Sequence, residues 1–220
     1  MIDTEDLRKL RPQEIAALEA NGCSAENWDN IWVVSAFRGE YVVNVRFSGL
    51  IVLGLFKKEF TFPGGVKKHS GIRNATLHNC QVGNNTLIED VHNYIANYVI
   101  GDECIIQNVN VMIVEGEASF GNNVLVSVLN ETGGREVPIY GGLSASLAYL
   151  IALYRHRPEL IDRLQSLIAK YAEDASLEYG IVGDYVKITN VGTLRSVWIG
   201  DYATIENCTR LANGTIRSNE

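Results

Sequence analysis

The stretch Asn130-Glu131-Thr132-Gly133-Gly134-Arg135-Glu136 holds the densest set of groups able to do chemistry in this 220-residue chain. A glycine pair lets backbone N–H groups approach a ligand, and an arginine guanidinium can grip a carboxylate or phosphate through two parallel hydrogen bonds. Asn130, Gly133, Gly134, Arg135 and Glu136 are therefore ligand-binding candidates, and Glu131 is a candidate acid/base partner. The competing reading is structural, with Glu131 and Arg135 pairing to hold a bulky excursion in place. The chain has four histidines, His69, His78, His92 and His156. His92 is the first candidate for a general base and His78 the second, whereas His156 reads as a cation at a helix C-terminus. Cys23, Cys80, Cys104 and Cys208 have neither metal-ligand nor disulfide-framework spacing. No metal site is expected, and Cys104 reads as a buried free thiol.

The elements that position these groups announce themselves by a repeat. An apolar residue, Gly, then Asn or Asp recurs at Val82-Gly83-Asn84, Ile100-Gly101-Asp102, Phe120-Gly121-Asn122, Val182-Gly183-Asp184 and Ile199-Gly200-Asp201. Four residues on come small or β-branched side chains, Thr86, Cys104, Val124, Val186 and Ala203. Six residues on come Ile88, Ile106, Val126, Ile188 and Ile205. A rhythm of six grouped into units of about eighteen suits neither a helix nor a flat sheet; it suits a chain wound into stacked triangular coils. Counting the related shapes Asn44-Val45-Arg46-Phe47 and Asn213-Gly214-Thr215-Ile216 puts coil starts at 47, 82, 100, 120, 182, 199 and 216, with a degenerate start near Gly64-Gly65. Like residues then stack in columns. Asn79 should lie over Asn97, Asn190 over Asn207, and Asn74, His92, Asn110 and Asn130 should form one polar column ending at the Gly-Gly-Arg loop. Asn110 joins the ligand-binding candidates on that ground.

This pattern is similar to the left-handed parallel β-helix, or hexapeptide-repeat, superfamily, whose best-known members are trimeric acyltransferases. The resemblance covers roughly residues 40–130 and 180–220, and more loosely the chain looks like the front part of a longer hexapeptide-repeat protein with a helical insert. It implies an all-β solenoid, the left hand included, since parallel crossovers are otherwise right-handed. It also implies acyl transfer to a sugar or sugar-nucleotide-type metabolite, a donor such as acyl-CoA, and a homo-oligomer, by resemblance a trimer. No histidine stands in a recognisable catalytic motif of the superfamily, so no catalytic residue carries over. The histidine intervals also depart from the zinc ligands of γ-type carbonic anhydrases, and only about forty residues precede the coils, too few for a nucleotidylyltransferase domain.

The expected organisation has four parts. Residues 1–40 form an N-terminal helical cap and lead-in strand, with Pro12 opening the helix and Asn21-Gly22 ending it. Residues 41–129 are the first coils. Residues 130–179 are the polar loop and an inserted helix pair, whose faces are Leu143, Leu147, Leu150, Ile151 and Tyr154, then Leu160, Ile161, Leu164, Leu167, Ile168 and Tyr171. Residues 180–220 resume the coils and stop just after a coil start, leaving an edge for an oligomer or further chain to cover. The alternative function follows from that edge: a non-catalytic β-helical scaffold or oligomerisation fragment, with any active site beyond residue 220.

Composition narrows the partners. With a net charge of −7, nucleic acid and anionic membranes are disfavoured. No stretch is long and apolar enough to span a bilayer, and the first residues lack the basic and apolar regions of a signal peptide. A cytoplasmic protein acting on a small molecule is the expectation.

Overall fold

The computed structural model describes residues 6–127 and 133–217. It is mostly β, with most strand pairings parallel and, among the described residues, three α-helices. In chain order the elements are β1 (Leu7–Lys9), α1 (Pro12–Ala20), β2 (Ser24–Ala25), β3 (Ile31–Val34), β4 (Val42–Leu53), β5 (Glu59–Thr61), β6 (Lys67–His69), β7 (Gly71–Val82), β8 (Leu87–Ile100) and β9 (Ile105–Ile113). There follow β10 (Val124–Ser127), β11 (Glu136–Ile139), α2 (Ala145–Leu153), α3 (Pro158–Asp174), β12 (Gly180–Val182), β13 (Lys187–Ile199), β14 (Thr204–Glu206) and β15 (Arg210–Ile216). Among the described residues no helix is long and apolar enough to cross a membrane.

Parallel pairing lines the apolar positions up in three inward columns. The first runs Val33, Leu53, Val82, Ile100, Val182, Ile199, Ile216. The second runs Val42, Ile72, Ile88, Ile106, Ile188, Ile205, and the third Phe47, Leu77, Ile95, Met112, Leu194, Leu211. All are buried except Leu211 and Ile216 at the last strand. Each such side chain contributes roughly 1.5–3 kcal/mol by leaving water, so the columns dominate the stability. The strands β8, β9, β13 and β12 close a cycle of parallel pairings around this core.

The Gly-Asx phrases make the corner between columns one and two. A Cβ at Gly54, Gly83, Gly101 or Gly183 would lie 2.8, 2.4, 2.3 or 2.2 Å from the next turn of chain, closer than any real contact. The residue after each glycine turns this close approach into bonding. Leu55 N donates to Asn84 Oδ1, Asn84 N to Asp102 Oδ1, Asp102 N to Asp184 Oδ1 and Asp184 N to Asp201 Oδ1, at 2.6–2.9 Å. Thr86, Cys104, Val186 and Ala203 are buried as expected. Asn79 donates to Asn97 at 3.2 Å and Asn190 to Asn207 at 3.1 Å, the two ladders anticipated from spacing.

Three expected coil starts lie elsewhere. The counterpart of Val82 in the first turn is Leu53, followed by Gly54; Phe47 belongs to the third column. Gly64-Gly65 is no coil start but the tip of the antiparallel β5–β6 hairpin, which explains the long interval before Val82. Phe120-Gly121-Asn122 starts no coil either. Its glycine takes φ +84°, unlike the other phrases, and the following β10 pairs antiparallel with β11. Val124 is exposed in consequence. Pairing instead passes from Ile100 to Val182 and from Ile106 to Ile188, so the excursion occupies the whole interval between β9 and β12, rather than beginning near residue 130.

Within that excursion, Val137 of β11, Ile151 of α2 and Ile168 of α3 form a second small core. Phe120 joins the main core, and its carbonyl accepts a 2.9 Å bond from Thr215 Oγ1, so the excursion folds back onto β15. At the other end α1 starts at Pro12 as read, with Glu14 accepting from Arg11 N and ion-paired to Arg8, and buries Leu18 in the main core.

All four cysteines are free, and Cys208 is the least buried. Burial pushes the Cys80 thiol up to about 11 and the Cys104 thiol up to about 12, and raises Cys23 as well. Because folding raises these values, the associated stability is complete below the ordinary thiol range and is lost as pH rises through about 11 to 12. A thiol reagent applied to the native protein is expected to modify Cys208 first and to reach Cys80 and Cys104 only on unfolding. Mass-spectrometric mapping checks this; native labelling of Cys104 at the denatured rate would contradict it.

Candidate functional site

The second corner of the stack is built on a second Asx signal. Six turns carry an aliphatic residue, any residue, Asn or Asp, then a small or aliphatic residue: Asn44, Asn74, Asp90, Asn108, Asn190 and Asn207. All six take φ of 50–56°, a left-handed conformation that Asn and Asp tolerate because their short side chains bond locally. They stack into one ladder. Asn44 Nδ2 donates to Asn74 Oδ1 at 2.9 Å and Asn74 Nδ2 to Asp90 Oδ1 at 2.8 Å. Above them Asn108 donates to Asn190 at 2.7 Å and Asn190 to Asn207 at 3.1 Å.

Asp90 interrupts this ladder for a chemical reason. A carboxylate has no N–H, so it accepts from Asn74 but cannot donate to Asn108. His92 takes the vacant donor's place, its Nε2 lying 2.6 Å from Asn108 Oδ1. The orientation of Asn108 is settled by its bond to Asn190, so Oδ1 is the atom facing the ring and Nε2 carries the hydrogen. The other ring nitrogen, Nδ1, is then the acceptor, and no bond occupies it among the described residues.

His92 reaches this position through a register irregularity. The offset between β7 and β8 grows from 16 residues at Arg73↔Glu89 to 18 at Leu77↔Ile95. Two additional residues, His92 and Asn93, are therefore accommodated at the β8 corner. Counting back from the Gly phrases assumes corners of equal length, which is why the expected column of Asn74, His92 and Asn110 does not form. Asn74 stacks on Asp90 instead, and Asn110 accepts a 2.6 Å bond from Asn93 beside the ladder.

Around His92 lies an open cleft of about 720 Å³ lined by Asn44, Arg46, Asn74, Thr76, Asp90, His92 and Asn108, with Gly22 and Ser24 at its rim. Arg46 has no ion-pair partner among the described residues. The cleft thus joins a cation for an anionic group, an oriented imidazole with an open acceptor, and a row of amides able to bond hydroxyls. Sequence reading singles out His92 but misses Arg46, Asp90 and Asn108. The signal that would find the last two is the aliphatic-X-Asx-aliphatic phrase, present in six turns.

The other candidates lie apart from this cleft. His78 accepts at Nε2 from Asn79 Nδ2 at 3.0 Å, and its Nδ1 is 2.8 Å from Ser48 Oγ. Asn79 Oδ1 is held by Leu50 N at 2.9 Å, so its amide nitrogen faces the ring. That leaves Nδ1 as the donor toward Ser48, the reverse of what a base activating a serine requires. Asn130 and Glu131 lie outside the described residues. Gly133 and Gly134 are exposed with positive φ, and Gly134 N donates to Glu136 Oε1 at 3.1 Å. The Glu136 carbonyl accepts from Arg155 at 2.5 Å. Gly133, Gly134, Arg135 and Glu136 do not line the cleft around His92.

The chain is 26% identical over 228 residues to an uncharacterized protein of Treponema pallidum (strain Nichols), an alignment covering 96% of this chain and 30% of that protein. The chain thus spans under a third of the length of the relative it matches. No solved structure matches it. A family model matches residues 7–220, nearly the whole stack with its excursion, and by that match the chain belongs to the family described as "Domain of unknown function (DUF4954)".

Proposed function

We propose that the chain is a left-handed parallel β-helix of the hexapeptide-repeat type, and that it is a transferase acting on a small sugar- or sugar-nucleotide-type metabolite. Three inward columns recurring every 16 to 20 residues where no excursion intervenes support the fold reading. The single observation carrying the activity is His92, oriented through Nε2 by Asn108, with Nδ1 unbonded among the described residues and Arg46 lining the same cleft. In acyl transfer from a thioester donor such as acyl-CoA, the acceptor hydroxyl attacks the carbonyl carbon while Nδ1 takes its proton. The carbon–sulfur bond then breaks, and the proton passes to the departing thiolate. Arg46 would hold an anionic part of the acceptor, and the Asn44, Asn74 and Asn108 amides its hydroxyls. A homo-oligomer, a trimer by resemblance, and a cytoplasmic site of action complete the proposal.

A thermal-shift screen of sugars, sugar nucleotides and acyl-CoA tests it. At least one acceptor is expected to raise the Tm of the parent, as a ligand binding only the folded state must, and to lose that effect in Arg46→Ala. A Tm unmoved by every compound, or a shift unchanged in Arg46→Ala, would count against the cleft. A second reading rests on the relative's length, more than three times that aligned here. On that reading the stack is a non-catalytic scaffold, and Arg46→Ala and His92→Ala would leave a longer protein's activity intact.

A further inference from the structure

Where the excursion folds back onto β15 it leaves two adjoining clefts, of about 420 and 220 Å³, both bordered by Phe120, Asn122, Thr215 and Arg217. They share no residue with the cleft around His92, so a ligand here is independent of the transferase reading. Their walls are aromatic. Tyr140 lines the larger, Tyr171 and Trp198 the smaller, and the Tyr140 and Tyr171 rings meet edge to face at 5.2 Å. Trp198 is half-buried, packed against the main core, and lines the smaller cleft.

Arg217 is the charged group at the junction. It donates Nη2 to Tyr171 Oη at 3.2 Å and has no carboxylate partner among the described residues. Its guanidinium meets a phenol rather than an acid, and it is the charged side chain that both clefts share. The backbone makes room for this arrangement. A Cβ at Gly141 would lie 2.5 Å from Arg217 Nη2 and 2.8 Å from Tyr171 Oη. A Cβ at Gly214 would meet nothing within 4 Å, so that part of the cleft floor is open.

We infer that this cleft binds a planar heteroaromatic ring carrying a phosphate, a nucleoside phosphate by class. The ring stacks on or against Trp198 and the two tyrosines, a contact open to any base because every base has a π-face. Arg217 takes the phosphate through its planar fork. A single arginine on an acidic protein cannot hold a polynucleotide, whose binding scales with the number of phosphates neutralised. The combined space suits a small ligand, for which cavities of about 300–1,000 Å³ are usual.

Titration of the full chain with ADP, followed by calorimetry and by tryptophan fluorescence, tests this. Saturable binding is expected, about tenfold weaker in Arg217→Ala and unchanged in His92→Ala. Trp198→Phe is expected to remove the ADP-induced fluorescence change. Adenosine, which lacks the phosphate, should bind about tenfold more weakly than ADP. Gly141→Ala, which displaces Arg217, is a second variant should Arg217→Ala fail to fold, and weaker ADP binding is expected there too. Absence of saturable ADP binding at millimolar concentration, equal affinity for adenosine, or parental affinity in the folded Arg217 or Gly141 variants would overturn the inference.

Discussion

Replacing His92 with alanine is expected to lower the rate of the proposed acyl transfer by about 10²- to 10⁴-fold, the range contributed by a positioned general base. The same change should leave the denaturation midpoint almost where it was, within about 0.5 kcal/mol. Both expectations follow from one geometry. His92 is exposed and sits in the additional residues of a register shift, so it fills no core column and its removal opens no cavity. Its stabilising contact is the bond to Asn108, which links two exposed groups. Its chemical contribution rests on Nδ1, left open because Asn108 occupies Nε2. Initial rates of thiol release from acyl-CoA, measured with the acceptor found by thermal shift, give the first number, and urea denaturation gives the second. A rate within about twofold of the parent would remove His92 from the mechanism, because general bases contribute far more than that. Loss of stability and rate together would assign it a structural role.

The largest effect on stability is expected at Gly180, the first residue of β12 after the excursion. Gly180 pairs with Tyr98, and a Cβ there would lie 2.2 Å from Tyr98 Cε1 and 2.6 Å from Cδ1 and Cζ. Tyr98 is fully buried and cannot swing away freely. Its hydroxyl donates to Val197 O at 3.0 Å and accepts from Val197 N at 3.3 Å, past the glycine to the following turn of chain. Gly180→Ala therefore overpacks a rigid ring and endangers two buried bonds, at a cost of about 4 kcal/mol. Tyr98→Ala alone leaves a cavity and unpaired backbone groups at a similar cost of about 4 kcal/mol. Combined, the two changes should be more stable than the sum of their separate effects by about 2 kcal/mol, since the new methyl enters the space the ring vacates. Urea midpoints of the four proteins in this cycle provide the check. Strict additivity would show that Tyr98 and Gly180 do not share this space in solution.

Gly180 and Tyr98 also show where sequence reading stops. Each stands two residues before a coil start that spacing picks out, Val182 and Ile100, but spacing does not pair them; they meet only because the chain returns to β8 after the excursion. Phe120-Gly121-Asn122 marks the same boundary from the other side. Locally it matches Val82-Gly83-Asn84, yet the strand after it finds β11 as an antiparallel partner before it can join the stack. Phe47 reads as a coil start, in the wrong column, because the β5–β6 hairpin lengthens the first turn without altering any single phrase. By contrast, Asn79 over Asn97 and Asn190 over Asn207 are readable, since no irregularity separates either pair.

The candidate site divides in the same way. His92 is legible as a residue type in a polar corner. Its partner is not, because the two additional residues at that corner shift His92 away from Asn74 and toward Asn108. Arg46 and Asp90 come from turns whose alignment depends on the same register. The Gly-Gly-Arg loop draws attention by composition and by the polar column expected to end at it, and the altered spacing at the β8 corner removes that column.

What the sequence determined by itself is the repeating part of the protein: glycines where the next turn of chain passes within van der Waals contact, Asn and Asp where the backbone turns left-handed, and branched apolar residues in the core. Those requirements act within a few residues of each position, so residue type reveals them. The tertiary structure alone decided where the repeat breaks and what meets there: Asp90, His92 and Asn108 at one corner, Tyr98 and Gly180 across the excursion, Trp198 and Arg217 at its return. Those meetings depend on pairing between residues far apart in the chain. There, one added residue or one competing partner strand redirects every later contact.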